Sequence, residues 1–157
     1  MAIGFDTFAY RRRFPHLVKA GKTLFVTFST ENRRRLSPAE RIIALNCSVH
    51  DHQLTMFLHC AVVMPDHAHL LFDPYEEWSL ARIQKRIKGN AARLINKRRR
   101  ERGTFWQHES FDHILRSDEA VRQKAEYICM NPVRAGLVQS ADDDYPWLWR
   151  EWIEGQR

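Results

Sequence analysis

The sequence has little cysteine, no long apolar run and no low-complexity segment, and each shortage removes a class of protein. Its three cysteines, Cys47, Cys60 and Cys129, are too few and too irregularly spaced for a disulfide framework or a zinc ribbon. No apolar run approaches the roughly 18 residues of a membrane span, and the first residues lack a signal-peptide core, so we expect a cytoplasmic protein. The length of 157 residues also excludes a β/α barrel hydrolase, which needs roughly 200 residues.

The composition favours one folded domain over residues 1–157. Hydrophobic residues make up 44% of the chain and aromatic residues 11%, which is enough to form a core. The sequence contains no internal repeat and no linker of biased composition, so nothing divides it into two units.

Positive charge is concentrated in one segment. The net charge is +6, but residues 82–102 hold ten basic residues and one acid, so that segment carries +9 and the rest of the chain −3. A local field of this kind attracts a polyanion, and we predict nucleic-acid binding there. The alternative is a solvated helix face that only aids solubility.

Hydrophobic periodicity predicts an α+β fold. Strands are predicted at residues 24–30, 53–64, 67–72 and 111–115. Helix starts are predicted at Ser37, Ser79 and Ser117. The last helix should end near Met130 because Pro132 follows, and residues 148–157 suggest a short terminal helix. The resulting order, β-α-β-β-α-β with an added C-terminal helix, is that of a ferredoxin-like (RRM-like) antiparallel sheet.

Two histidines on the third predicted strand form a candidate metal site. His67 and His69 are two residues apart, so both imidazoles should leave the same side of the sheet. Neutral imidazole is a common metal ligand, and two of them can present two nitrogens to one divalent ion. The alternative is a pair of half-buried, hydrogen-bonded histidines.

The last predicted helix carries a tyrosine and an asparagine on one face. Tyr127 and Asn131 are four residues apart, and the Asn131 amide oxygen could be a further ligand for a hard cation. A neighbouring metal would stabilise the Tyr127 phenolate and make the phenol a nucleophile. On spacing alone, a packing role for Tyr127 is favoured.

Together these features resemble the REP-associated tyrosine transposases, relatives of the single-tyrosine HUH transposases of bacterial insertion sequences. The resemblance covers about residues 10–147. It rests on six stretches in the same order: residues 25–27, 63–72, 87–89, 106–113, 127–138 and 145–147.

The resemblance implies an activity and its residues. His67 and His69 match the two histidines that bind a divalent ion, Mg²⁺ or Mn²⁺, and Asn131 matches the position of a third ligand. Tyr127 matches the nucleophile that attacks a DNA phosphodiester and forms a 5′-phosphotyrosine link. The implied substrate is single-stranded DNA folded into palindromic hairpins, and the implied assembly is a monomer or a homodimer.

Other residues are assigned to DNA binding or left open. The predicted DNA-binding residues are Arg11, Arg12, Arg13, Arg82, Lys85, Arg86, Lys88, Lys97, Arg98, Arg99 and Arg100. Gln84 shares a helix face with Lys88 and could approach the tyrosine or the DNA. Glu109, Asp112 and His113 lie in a family-like stretch and could be catalytic, positioning or packing residues.

Two alternatives to an active nuclease remain at this point. The first is a protein of the same fold that binds hairpin DNA without cutting it. The second is an RNA-binding module, which would expose aromatic residues such as Phe57 and Phe72 on central strands but would leave the histidines without a role.

Overall fold

The computed structural model describes residues 23–141 and 143–151, so the predicted DNA-binding residues Arg11, Arg12 and Arg13 lie outside it. Its main elements, in chain order, are β1 (Thr23–Ser29), α1 (Pro38–His50), β2 (Met56–Val63), β3 (His67–Pro74), α2 (Leu80–Arg99), β4 (Phe111–Leu115), α3 (Asp118–Arg134) and β5 (Leu148–Arg150). In these ranges, no helix is both long and apolar enough to cross a membrane.

The strands form one antiparallel sheet in the order β4-β1-β3-β2-β5. The first four strands with α1 and α2 give the predicted ferredoxin-like order, and α3 is the added helix that carries the tyrosine. The predicted α+β fold is therefore confirmed. The first strand pairs with both β3 and β4, which places β4 at one edge of the sheet.

Each predicted helix start is confirmed by a serine cap. The Ser37 side chain accepts from the Glu40 backbone N–H, while the Glu40 carboxylate accepts from the Ser37 backbone N–H, a complete capping box. The hydroxyls of Ser79 and Ser117 likewise accept from the third backbone N–H of α2 and α3. Three helices therefore begin where the sequence supplies an oxygen for their unpaired N–H groups.

The sheet separates two cores because successive strand residues point to opposite faces. The α1 and α2 face contains, among others, Val26, Phe28, Leu70, Phe72, Ile83 and Ile87. The α3 face contains, among others, Phe25, Val62, Leu71, Ala125 and Ile128. The tyrosine helix and the basic helix therefore lie on opposite sides of the same sheet.

The prediction that α3 ends near Met130 was wrong, since the helix continues through Pro132 to Arg134. Pro132 is buried on the sheet side of the helix, so packing outweighs the backbone hydrogen bond that proline removes. Gly136 stops the helix two residues after its end, since its φ of 72° suits glycine. The N–H groups of Gly136 and Leu137 bond the carbonyls of Val133 and Pro132, a Schellman motif.

The prediction of a terminal helix over residues 148–157 was also wrong for residues 148–150, whereas Glu151 is helical and residues 152–157 lie outside the described residues. Leu148–Arg150 forms β5, in register with Cys60–Val62 of β2. The second strand is buried along its whole length, and without β5 its outer backbone groups would lack partners. Pairing of residues 148–150 with the edge of β2 therefore outweighs the local pattern of tryptophan and charge, from which a helix was predicted.

Candidate functional site

The two histidines of β3 leave the same side of the sheet, as their spacing predicts, and in the structure that side is the one that α3 covers. The His67 and His69 ring centroids lie 4.8 Å apart, with the ring planes inclined by 75°. His69 is 6% exposed, and His67 is partly exposed at the end of the strand. The pair therefore lies at the boundary between the α3 core and the solvent.

Each imidazole is held through its Nδ1 atom. The His67 Nδ1 lies 2.7 Å from a carboxylate oxygen of Asp66, and the His69 Nδ1 lies 2.7 Å from the hydroxyl of Thr27. A carboxylate can only accept, so His67 donates from Nδ1, and in the neutral ring the lone pair lies on Nε2. Histidines that ligate metals are oriented by this kind of partner on the other ring nitrogen.

The surroundings keep His69 neutral. Burial lowers the pKa of His69 to about 3, and the nearby charges of His67, Lys124 and Arg134 act in the same direction. Burial works to raise the pKa of Asp66, but hydrogen bonds and charges from His67 and Arg33 outweigh it and hold that pKa below its usual value. The site thus combines a neutral His69 imidazole with an ionised Asp66 carboxylate, which lies beside His67.

Tyr127 comes from α3 to the same place. Its ring centroid lies 5.8 Å from that of His69 and 6.1 Å from that of Phe25, which in turn stacks on His69 at 5.3 Å. Tyr127 keeps 40% of its surface exposed. The apolar face of α3, with Ile128 buried against the sheet, leaves Tyr127 at the flank of the helix. One chain therefore brings the tyrosine and both histidines together.

Two cationic side chains, which the sequence analysis did not assign to the site, lie over the Tyr127 ring. The Lys124 Nζ lies 5.1 Å from the Tyr127 ring centroid, and the Arg134 Cζ lies 4.2 Å from it. Lys124 lies one helical turn before Tyr127 and Arg134 about two turns after it, so helical spacing places all three on one face. That spacing is the sequence signal that could have identified them.

The donor set for a metal depends on Asn131. In residues 23–141 and 143–151, no group of three His, Cys, Asp or Glu side chains could hold an ion. The Asn131 amide, one turn beyond Tyr127, has a buried Nδ2 atom without a hydrogen-bond partner. A half-turn of the amide would present its oxygen instead, so this orphaned group fits the chemistry of a third ligand.

Some of the predicted DNA-binding residues make contacts within the protein. Arg86 pairs with the buried carboxylate of Asp51 at 2.9 Å, and Arg99 pairs with Glu40. These two guanidinium groups join α2 to α1. Their positive charge is therefore partly neutralised, and a structural role accounts for both.

Lys88 fastens the stretch of residues 106–113 to α2. Its Nζ donates to the Gln107 carbonyl and to the Ser110 hydroxyl, both at 3.0 Å, and burial lowers its pKa. The Trp106 indole donates to the Lys88 carbonyl at 3.1 Å, which closes the same junction. Lys88 and its neighbour Gln84 lie on the α2 side of the sheet, away from Tyr127.

The remaining predicted DNA-binding side chains of α2, together with Arg100 at its C-terminal cap, are exposed. Arg82 is exposed with its guanidinium 4.2 Å from the Trp78 ring centroid. The other members, Lys85, Lys97, Arg98 and Arg100, are exposed as well. These five residues are here called the basic surface.

The structure also places the residues left open by the sequence. Glu109 is exposed in the segment before β4. Asp112 and His113 are exposed neighbours on β4, paired with Val26 and Phe25 of β1, so Asp112 faces α2 and His113 faces α3.

The aromatic residues expected on the surface of an RNA-binding module are not exposed. Phe57 is 4% exposed and Phe72 is fully buried. Neither ring can stack on a base, so this alternative lacks its binding platform.

Comparisons with known proteins agree with this architecture. The family model described as "Transposase IS200 like" matches residues 10–130. A Haemophilus influenzae protein named as a REP-associated tyrosine transposase is 32% identical over 92 residues, which are 52% of this chain and 52% of that protein. The chain thus aligns with about half the length of this curated relative.

Two solved structures share the fold. A REP-associated tyrosine transposase bound to a REP hairpin superposes with a TM-score of 0.68 at 20% identity, covering 88% of this chain and 82% of that one. A Deinococcus radiodurans protein described as a transposase superposes with a TM-score of 0.50 at 18% identity, covering 75% of this chain and 95% of that one.

Proposed function

The chain belongs to the IS200-like transposase family, and we propose that it is a metal-dependent endonuclease and strand-transfer enzyme for single-stranded DNA. Its substrate is palindromic hairpin DNA of the REP type, and its intermediate is a 5′-phosphotyrosine on Tyr127. Such an enzyme works where the chromosome is, in the bacterial cytoplasm.

One observation carries the proposal: the exposed Tyr127 ring stands 5.8 Å from the ring of His69, which is fixed through Nδ1 and backed by Phe25. Lys124 and Arg134 both lie over the Tyr127 ring, and Arg134 also donates a hydrogen bond to the Tyr127 backbone carbonyl. The arrangement joins a nucleophile, a pair of imidazole ligands and positive charge in one place.

In the proposed cleavage reaction, Tyr127 is the nucleophile, and Lys124 and Arg134 supply positive charge. The Tyr127 oxygen attacks the phosphorus, the new O–P bond forms, and the bond from phosphorus to the 3′ oxygen breaks. The phenol proton passes to solvent, and the released 3′ oxygen takes up a proton to become a free hydroxyl. Lys124 and Arg134, which lie over the Tyr127 ring, would stabilise the phenolate and the negative charge of the phosphate.

The proposed metal ligands all come from this chain, and other residues of the chain orient the two histidine rings. His67 and His69 would supply Nε2 lone pairs to the ion and Asn131 would supply an amide oxygen, while Asp66 and Thr27 hold the two rings. A bound Mg²⁺ or Mn²⁺ supplies charge neutralisation at the phosphoryl oxygens. The attack at phosphorus conserves a phosphodiester, so the reverse reaction with a 3′ hydroxyl needs no ATP.

Hairpin DNA is the substrate that best fits the position of the positive charge on α2. The basic surface on α2 lies away from Tyr127, on the other face of the sheet, so one molecule can hold a folded stem and cut a strand that leaves it. A solved relative of the same fold is bound to a REP hairpin. Because one chain brings Tyr127 to its own histidines, a monomer is sufficient for cleavage.

A covalent-trapping assay tests the proposal. The protein is incubated with Mn²⁺ and a hairpin single strand that is labelled on the 3′ side of the expected cut, and adducts that resist SDS are counted. We expect an adduct with wild type, none with Tyr127→Phe, and none in chelator. Hairpin binding without an adduct would identify a non-cleaving hairpin-binding protein instead.

A further inference from the structure

Phe111, on the edge strand β4, is exposed beside the reaction centre. It exposes 60% of its surface, more than any other large hydrophobic side chain in residues 23–141 and 143–151. Exposing an aromatic ring of this size to water is costly unless a ligand covers it. Nothing in the fold or in the mechanism above uses it.

The register of the sheet directs Phe111 toward the site. Phe111 pairs with Thr27, and Thr27 pairs with His69, so the three form one row across the sheet. Residues opposite each other in a sheet share a face. The Thr27 hydroxyl contacts the His69 ring, which fixes that face as the α3 side. Two strand spacings put the Phe111 backbone about 10 Å from that of His69.

The ring is also connected to the reaction centre by contact. The Phe111 ring lies 6.3 Å from that of Phe25, at an angle of 69°. Phe25 contacts His69 and Tyr127, and the Lys124 Nζ lies 4.5 Å from its centroid. The Phe111 and Phe25 rings thus form an apolar surface next to the Lys124 ammonium group and Tyr127.

In the part of the chain that the structure describes, the β4 edge of the sheet lies beside the start of α2. Trp78 and Leu80, at that start, line a cavity together with Asp112 and Ile114 of β4. The opposite edge of the sheet is separated from α2 by α1, which packs on β2 and β5. A strand that is bound at Arg82 and Lys85 and crosses the β4 edge would therefore meet Phe111 on the α3 side.

We propose that Phe111 stacks on the nucleobase next to the scissile phosphate. Aromatic rings bind single strands by stacking on bases of any sequence, and cations alongside them bind the backbone. Phe111 would hold the base while Lys124 holds the neighbouring phosphate. This assignment rests on the proposed function, because it presupposes a cut beside Tyr127.

Base stacking can be measured without cleavage. The cut position is first mapped from the length of the fragment released by wild type. The fluorescent base aminopurine is then placed on either side of that position, and its quenching is followed with Tyr127→Phe protein. We expect strong quenching at one of the two positions, which is lost when Phe111→Ala is added and restored by Phe111→Trp.

Leu54→Ala is the matched control. Leu54 is 52% exposed and lies between α1 and β2, away from β4. It should leave the quenching unchanged. Equal loss of quenching in Phe111→Ala and Leu54→Ala would overturn the assignment, because it would reflect a general loss of stability. Absence of quenching at both positions would overturn it too.

A thermodynamic cycle separates this assignment from the proposed function. Phe111→Ala should weaken binding of the intact strand by about 5-fold to 150-fold, but not that of a strand with an abasic nucleotide at the quenched position. If wild type forms the adduct and the abasic strand shows the same loss, Phe111 does not stack and the nuclease proposal stands. If wild type forms no adduct, both proposals fail.

Discussion

The ring of Tyr127 stands 5.8 Å from the ring of His69 within a single chain. The two residues come from α3 and β3, and the sheet order brings these elements together because α3 packs over the central strands. Phe25 contacts both rings and excludes water from one side of each. The relationship is the basis of the cleavage reaction proposed here.

Replacing either histidine should separate cleavage from binding. His67→Ala and His69→Ala each remove a metal ligand, so we expect loss of the covalent adduct. Hairpin affinity should change by less than about twofold because phosphate electrostatics dominates it. Adduct counting and a gel-shift titration measure the two effects. His50→Ala, an exposed histidine on α1, is the control and should cleave normally. Equal loss of cleavage and binding would count against the metal role.

The hydroxyl of Thr27 should tune the metal site from the next strand. Thr27→Val keeps the shape of the side chain but removes the hydrogen bond to the His69 Nδ1. We expect the Mn²⁺ concentration for half-maximal adduct formation to rise about 10-fold to 100-fold. Thr27→Ser retains the hydroxyl and should stay near wild type. A Thr27→Val protein with an unchanged metal requirement would show that the ring needs no such support.

The two cations beside Tyr127 should affect the rate more than the affinity. Lys124→Gln and Arg134→Gln remove charge next to the phenol, and we expect each to slow adduct formation by at least about tenfold. Single-turnover kinetics at saturating DNA measures that rate. Arg122→Gln, an exposed charge elsewhere on α3, is the control. Rates that fall equally in all three variants would indicate a general charge effect.

The basic surface should set the salt dependence of hairpin binding. The triple variant Lys97→Gln, Arg98→Gln, Arg100→Gln should weaken binding and make the slope of log K against log salt less negative by up to about 3. An unchanged slope would mean that these residues do not touch DNA.

Arg86→Gln should instead affect the stability of the protein, in contrast to the substitutions in the basic surface. It leaves the buried Asp51 carboxylate without its ion pair, so we expect a loss of about 1–3 kcal/mol in unfolding free energy instead of a changed slope. Thermal and urea denaturation check this. Arg86 would belong to the DNA surface if stability stayed constant while the salt slope changed.

Local signals in the sequence were enough for most of the fold. The serine caps at Ser37, Ser79 and Ser117 and the alternation of buried residues gave the element order, because these depend on neighbours in the chain. The extension of α3 through Pro132 and the pairing of β5 with β2 depend on burial against distant residues. Periodicity does not contain that information.

The site was only partly accessible from the sequence. The spacing of His67 and His69 fixed their shared face, but which face α3 would cover follows from the assembled sheet. The basic residues of α2 formed a single group in the sequence, whereas the fold divides them. Arg86, Lys88 and Arg99 bind protein partners, and the others stay exposed.

The most direct measurement is to find the residue that carries the DNA. The adduct is trapped with Mn²⁺, digested with nuclease and protease, and analysed by peptide mass spectrometry. The account predicts a single nucleotide phosphate on Tyr127, absent in His69→Ala. A modification on another tyrosine, such as Tyr75 or Tyr145, or no modified peptide at all, would contradict it.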